Sequence, residues 1–178
     1  MKVVVAGATG RIGSRSVTRL REHGAQVVPL SRALGVNVGD AHALRRALRG
    51  AQILVDITDA PSRQQDVSTA FFGDTTRSLL MAARETGVEH YVALSAVGAD
   101  RVASGYLRAK AAQEDLVRRS ALPYSLVPAA AAGRDGDVAA PSPTSPSRCR
   151  CSASWRPPDP RSDRSRTSPP TCSPPRTA

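Results

Sequence analysis

Apolar positions recur along this chain in short blocks of alternating period. Lys2 to Ala6 carries Val3-Val4-Val5, a β-branched run that fits a strand buried on both faces. From Ser14 to His23 the period lengthens: Val17 and Leu20 recur one turn apart among arginines, as on a helix with one apolar stripe. Gln26 to Leu30 (QVVPL) returns to strand, with Pro29 best placed near its end. Asp40 to Leu48 is a short helix with Asp40 as N-cap, and Gln52 to Ile57 is a third strand. Gln64 to Thr86 is a long helix. Phe71, Thr75, Leu79 and Ala82 form one face of it, which Leu80 and Ala83 widen. Gly24, Gly50 and Gly87 close these helices. A strand over Glu89 to Ser95 follows, then a loop from Val97 to Gly105. A helix over Tyr106 to Ser120 turns Ala109, Ala112 and Leu116 to the core, and Tyr124 to Val127 is a last strand. Strands that alternate with helices imply right-handed crossovers and a parallel sheet wound on both faces, an α/β protein in three αβα layers.

The junction between the first strand and the first helix holds Gly7, Gly10 and Gly13 at three-residue spacing, with Thr9, Arg11 and Ile12 between them. Strand, glycine turn and helix are the context of a dinucleotide phosphate site, and the fold is accordingly of Rossmann type. Gly7 permits the tight turn, Gly10 lets backbone approach a pyrophosphate, and Gly13 lets the helix pack close to the strand. The helix N-terminus offers unpaired N–H groups and partial positive charge. A glycine-rich turn with no ligand is the plain alternative, and its position directly after a core strand argues against it.

Ser31 and Arg32 fall where the second strand ends, the position that chooses the cofactor. An acidic residue there would bind the ribose 2′-hydroxyl of NAD. A serine and an arginine suit a 2′-phosphate instead, with Arg11 adding to the same field. NADP(H) is therefore the expected cofactor and NAD(H) the alternative. A solvated loop arginine is the plain alternative for Arg32, and the missing acid argues against NAD independently of it. Ile57 and Thr58, at the end of the third strand, border the expected crevice. Asp56 and Asp59 beside them fit helix capping or a solvated turn.

Tyr106-Leu107-Arg108-Ala109-Lys110 is Y-x-x-x-K, which on a helix puts both functional groups one turn apart on one face. An ammonium near a phenol lowers its pKa, and such a tyrosine serves as general acid or base toward a carbonyl or alcohol. Ser95, at a strand end, is placed to bind the same substrate oxygen, and Lys110 to hold the nicotinamide ribose. Catalytic roles are thus assigned to Ser95, Tyr106 and Lys110. Plain structural roles compete with them: a packed residue at a helix start and a strand-end hydrogen bond. His23, His42 and His90 have no ligand spacing and are expected at the surface, with no metal.

Composition divides the chain. All three cysteines and ten of the fourteen prolines lie after Ala140, and residues 141–178 contain no aliphatic side chain larger than Ala. Such a tail buries too little apolar surface to offset its ordering entropy, so 1–130 is expected to be the folded domain and 131–178 a disordered Ser/Pro/Arg-rich tail. The net charge of +10 invites a nucleic-acid partner. Yet residues 1–130 carry 17 Lys and Arg against 11 Asp and Glu, interspersed on helix faces and without a recognised module, which argues against one. A chain that begins on a core strand, with no apolar run near the ~20 residues of a membrane span, is expected in the cytoplasm and off the membrane.

GATGRIG at the start, Ser95-Ala96-Val97-Gly98, Gly105-Tyr106, Arg108-Ala109-Lys110 and Pro123-Tyr124-Ser125 together resemble the atypical short-chain dehydrogenase/reductases, and within them the NmrA-like NAD(P)-binding proteins. The resemblance covers residues 1 to about 127. It implies that the glycine loop binds pyrophosphate, that Ser31 and Arg32 meet the adenosine ribose or its phosphate, and that Lys110 lies by the nicotinamide. It also implies either a reductase of a carbonyl or quinone or a regulator that binds nucleotide and a protein partner without turnover. After Val127 the pattern departs: Pro128 and four alanines lead into the tail, whose composition is that of a GC-rich gene read in a shifted frame. The substrate-binding portion and the sheet's last strand are then expected to be missing, which adds an inactive truncated relative to the alternatives.

Overall fold

Five strands and four helices alternate along residues 1–99 and 105–129, which the computed structural model describes. They are β1 (Lys2–Ala6), α1 (Arg11–Glu22), β2 (Gln26–Leu30), α2 (Ala41–Leu48), β3 (Ile53–Asp56), α3 (Gln65–Thr86), β4 (His90–Ala96), α4 (Gly105–Arg118) and β5 (Tyr124–Ala129). A 3-10 turn, Arg32–Leu34, follows β2. The tail expected over 131–178 lies outside the described residues.

The strands are all parallel in the order β2-β1-β3-β4-β5. The chain steps outward from β1 to β2, recrosses to β3, and continues to β5. Its direction therefore reverses between β1 and β3, and connections at the carboxyl ends of these strands diverge there to leave a crevice. On one face, Val4, Ala6, Leu54, Tyr91 and Ala93 meet Leu44 and Leu48 of α2, Leu79 and Ala83 of α3, and Val117 of α4. On the other, Val3 and Val5 pack on Val17 of α1, with Ile53 and Val55 partly covered. These are the three layers expected. Each fully buried leucine contributes about 1.5–3 kcal/mol relative to an exposed one.

Local chemistry sets the boundaries. The Asp40 carboxylate caps α2, accepting from the His42 and Ala43 amides at 3.0 Å each. Gly87 stops α3 in the left-handed region at φ 74°. α1 starts at Arg11 rather than Ser14, because Gly10 supplies the extended N-cap and the apolar stripe begins only a turn later.

The buried stripe of α4 is Ala109, Lys110, Gln113 and Val117, whereas Ala112 is exposed and Leu116 only half-buried. A polar stripe is inside because a carboxylate, Asp56, waits beneath it. His90 is not a surface residue either: half-buried, its Nε2 lies 2.9 Å from the Ser125 hydroxyl.

Both edge strands of the described sheet contain a proline, Pro29 in β2 and Pro128 in β5. In β2 the Gln26 amide donates to Met1 and Leu30 accepts from Gly7, so even-numbered residues face the ladder. In β5, Pro123 and Ala129 accept from Tyr91 and Val97, so odd-numbered residues do. Both proline nitrogens thus point outward, and no ladder bond is lost. Among the described residues, no helix is long and apolar enough to cross a membrane.

Candidate functional site

The glycine turn is pinned to the end of β2: the Gly7 and Ala8 amides both donate to the Leu30 carbonyl, at 3.0 and 3.1 Å. Gly7 has φ +80°, and a Cβ on it would fall under 3.0 Å from the Ile57 carbonyl oxygen. A Cβ on Gly13 would fall under 3.0 Å from the Gly7 carbonyl oxygen, so α1 presses directly on the turn. Gly10 differs. The nearest atom to its Cβ position is the Gly7 oxygen at 3.4 Å, and the remaining side is open. α1 begins there with no side-chain cap and no acidic residue in its first turn. The amides of Arg11, Ile12 and Gly13 find no backbone acceptor among the described residues. Open donors and an uncompensated helix N-terminus favour an anion.

A cleft of about 870 Å³ opens above this turn, in the size range of small-molecule sites. Gly7, Thr9 and Gly10 form its floor, Ser31 and Arg32 one wall, and Ile57 and Thr58 the opposite side. Three separate strand ends thus bring these sequence-selected residues together. Arg11, Ile12, Gly13, Ser95, Tyr106 and Lys110 do not line it. Gly13 acts from beneath by letting the helix approach. Ser31 accepts the Leu34 amide at 3.2 Å and so caps the 3-10 turn that carries Arg32. Arg32 is exposed and takes part in none of the described ion pairs.

Sequence reasoning missed the loop Val36 to Gly39 and the α3 residues Phe71, Asp74, Thr75 and Ser78, which complete the wall. The signal for the loop was present: Val36 and Val38 alternate about Asn37 and pack against the main core.

At the last residue of β3, the expected capping role of Asp56 is overturned. It is 1% exposed, and its carboxylate accepts from the Thr58 amide (3.0 Å), the Thr58 hydroxyl (2.6 Å), the Tyr91 hydroxyl (2.9 Å) and the Gln113 amide (3.0 Å). Lys110, 4% exposed, donates to the Leu94 carbonyl (3.0 Å) and Gln113 Oε1 (2.9 Å) and lies 4.1 Å from the Phe72 ring centroid. Burial lowers the Lys110 pKa, and Asp56 opposes part of that shift.

Tyr106 meets Phe72 edge-on at 5.7 Å between centroids, while its hydroxyl donates to Asp59 Oδ1 at 2.6 Å. Arg63 bonds Asp59 and covers the tyrosine ring at 3.9 Å. Burial first, and then the Asp59 carboxylate, raise the phenol's pKa well above its ordinary value. The sequence expectation was the reverse, a phenol acidified by Lys110. The difference arises because Tyr106 turns to a carboxylate and Lys110 turns inward. Ser95 is buried and donates to Glu114, which also pairs with Arg118.

Residues 7–140 match the NAD(P)H-binding family. None of the curated proteins matches the chain by sequence. Solved structures share its fold. A short-chain dehydrogenase/reductase superfamily protein from Agrobacterium tumefaciens with bound NAD is 23% identical, with a TM-score of 0.59 over 72% of this chain and 48% of that one. The Thermus thermophilus UDP-glucose 4-epimerase complexed with NAD is 22% identical, with a TM-score of 0.60 over 72% and 54%. An NADPH-dependent quinone oxidoreductase from Escherichia coli is 21% identical, with a TM-score of 0.50 over 70% and 46%. The chain spans about half the length of these structures.

Proposed function

From the premise that the chain belongs to the NAD(P)H-binding family, we propose that it binds NADP(H) in this cleft and reduces a small carbonyl or quinone substrate, as an NmrA-like member of the atypical short-chain dehydrogenase/reductases. One observation carries the choice of cofactor. The glycine turn at Gly7, Thr9 and Gly10 shares one cleft with Arg32, which is in none of the described ion pairs, and no acidic residue ends β2. The glycines leave room for close approach of a pyrophosphate, and Arg32 offers charge-assisted bonds to a 2′-phosphate. When bound, the nicotinamide supplies a hydride to the substrate carbon. Tyr106, which stays protonated at neutral pH, gives the proton to the substrate oxygen and regains one from solvent. Ser95 and Lys110 are assigned to the substrate oxygen and the nicotinamide ribose.

A second reading has its own support. The Tyr106 proton is held by Asp59 and the Ser95 hydroxyl by Glu114, an arrangement that suits a protein binding nucleotide without turnover. Titration with NADPH and NADH, followed by fluorescence and thermal shift, tests the binding. NADPH is expected to bind more tightly, and Arg32→Ala to lose about tenfold or more of that preference, the worth of a hydrogen bond to a charged group. Equal affinities for the two nucleotides would remove NADP from the proposal. Tyr106→Phe then separates enzyme from regulator: turnover disappears in the first, while nucleotide affinity stays unchanged in both.

A further inference from the structure

We propose that Asp56 and Gln113 are positioning residues that hold the Lys110 ammonium and tie it to the nucleotide cleft through Thr58. This rests on the reading above, in which Lys110 serves the nicotinamide half. The hydrogen bonds admit one arrangement. An ammonium only donates, and the four groups around Asp56 all donate to its carboxylate. The Gln113 amide must then present its NH2 to Asp56 and its oxygen to Lys110, which donates in turn. Asp56 thereby fixes the amide whose oxygen accepts from an ammonium on a residue only 4% exposed. Thr58, on the same carboxylate, lines the cleft.

A purely structural role explains this poorly. An apolar residue would fill the space over Phe72 without the cost of burying a charge and its partners. The other charged groups that act on Lys110 are Asp59, Arg63 and Glu114, and none of them bonds to it among the described contacts.

Lys2 and Lys110 are the only lysines in the sequence, so 13Cε-lysine labelling of the full chain gives two resonances, which Lys2→Arg assigns. In Gln113→Leu the Lys110 titration is expected to move down by about one pH unit, through loss of an acceptor. In Gln113→Glu it moves up. Because the two variants differ in sign, either alone tests the proposal should the other fail to fold. Gln113→Leu is also expected to lose about tenfold in NADPH affinity while 2′,5′-ADP, which lacks the nicotinamide half, binds unchanged. A Lys110 titration unmoved by either substitution overturns the proposal, as does an equal loss for both ligands. Should the unaltered protein bind neither nucleotide, the cofactor reading fails, and the Lys110 titration still decides the relay.

Discussion

Gly10 and Gly13 sit three residues apart in one turn, yet a methyl group added at each meets opposite surroundings. At Gly13 it collides with backbone, so Gly13→Ala must displace the turn or α1, at about 1–3 kcal/mol of stability. At Gly10 the space is open, so Gly10→Ala is expected to melt like the unaltered protein and still lose at least about tenfold in NADPH affinity, by filling the place of a phosphate. Urea unfolding and nucleotide titration of both variants check this, and equal stability losses would contradict it. The roles of these glycines were legible in sequence because spacing and a preceding strand specify them locally. Asp56 was not legible. Its partners Tyr91 and Gln113 lie 35 and 57 residues away, and a carboxylate at a strand end looks the same in sequence whether solvated or enclosed.

Whole elements followed the apolar period closely, since β-branched runs and one-turn repeats state which faces must be buried. α4 shows the limit of that rule. Counting only apolar residues places Ala112 and Leu116 inward, whereas Lys110 and Gln113 occupy the stripe because Asp56 requires donors on that side. The 3-10 turn at Arg32–Leu34 escapes detection for a related reason: Ser31 and Gly35 fix it by a single cap and a left-handed residue, with no period to read. α3 follows the ordinary rule. Leu79 is fully enclosed between the sheet and its neighbours, so Leu79→Ala should cost about 2–5 kcal/mol, while Leu34→Ala on the exposed turn should stay within about 0.5 kcal/mol. Denaturant midpoints of the two variants give the comparison, and similar losses would mean that Leu79 is not part of a packed core.

For the molecule as a whole, the parallel sheet between two helix layers and the position of the crevice followed from alternation and handedness, whereas the strand order and the groups that titrate abnormally emerged only from the packing. Tyr91 and Tyr106 have pKa values raised above the ordinary phenol value of 10.0, chiefly by burial. The folded protein keeps protons that the unfolded chain loses above that value, so this stabilisation is complete below pH 10.0 and is lost as pH climbs through the raised values. Lys110, with a lowered pKa, acts oppositely: the unfolded chain holds its proton longer, and stability gains as pH rises toward 10.5. Urea midpoints from roughly pH 8 to pH 11 should therefore pass through a maximum, with a shallower alkaline fall in Tyr91→Phe. Identical alkaline slopes for the two proteins would show that Tyr91 ionises as freely folded as unfolded.

The outward-facing nitrogens of Pro29 and Pro128 bear on how these molecules meet one another. Among the described residues the sheet ends at β2 and β5, and an open strand margin is a template on which another chain's backbone can continue the ladder. Here each margin lacks a donor at one rung, so an incoming strand leaves a carbonyl without a partner on either side. Edge-to-edge pairing of crowded molecules through these two strands is thus weakened at one rung each, by residues that cost the fold no ladder bond.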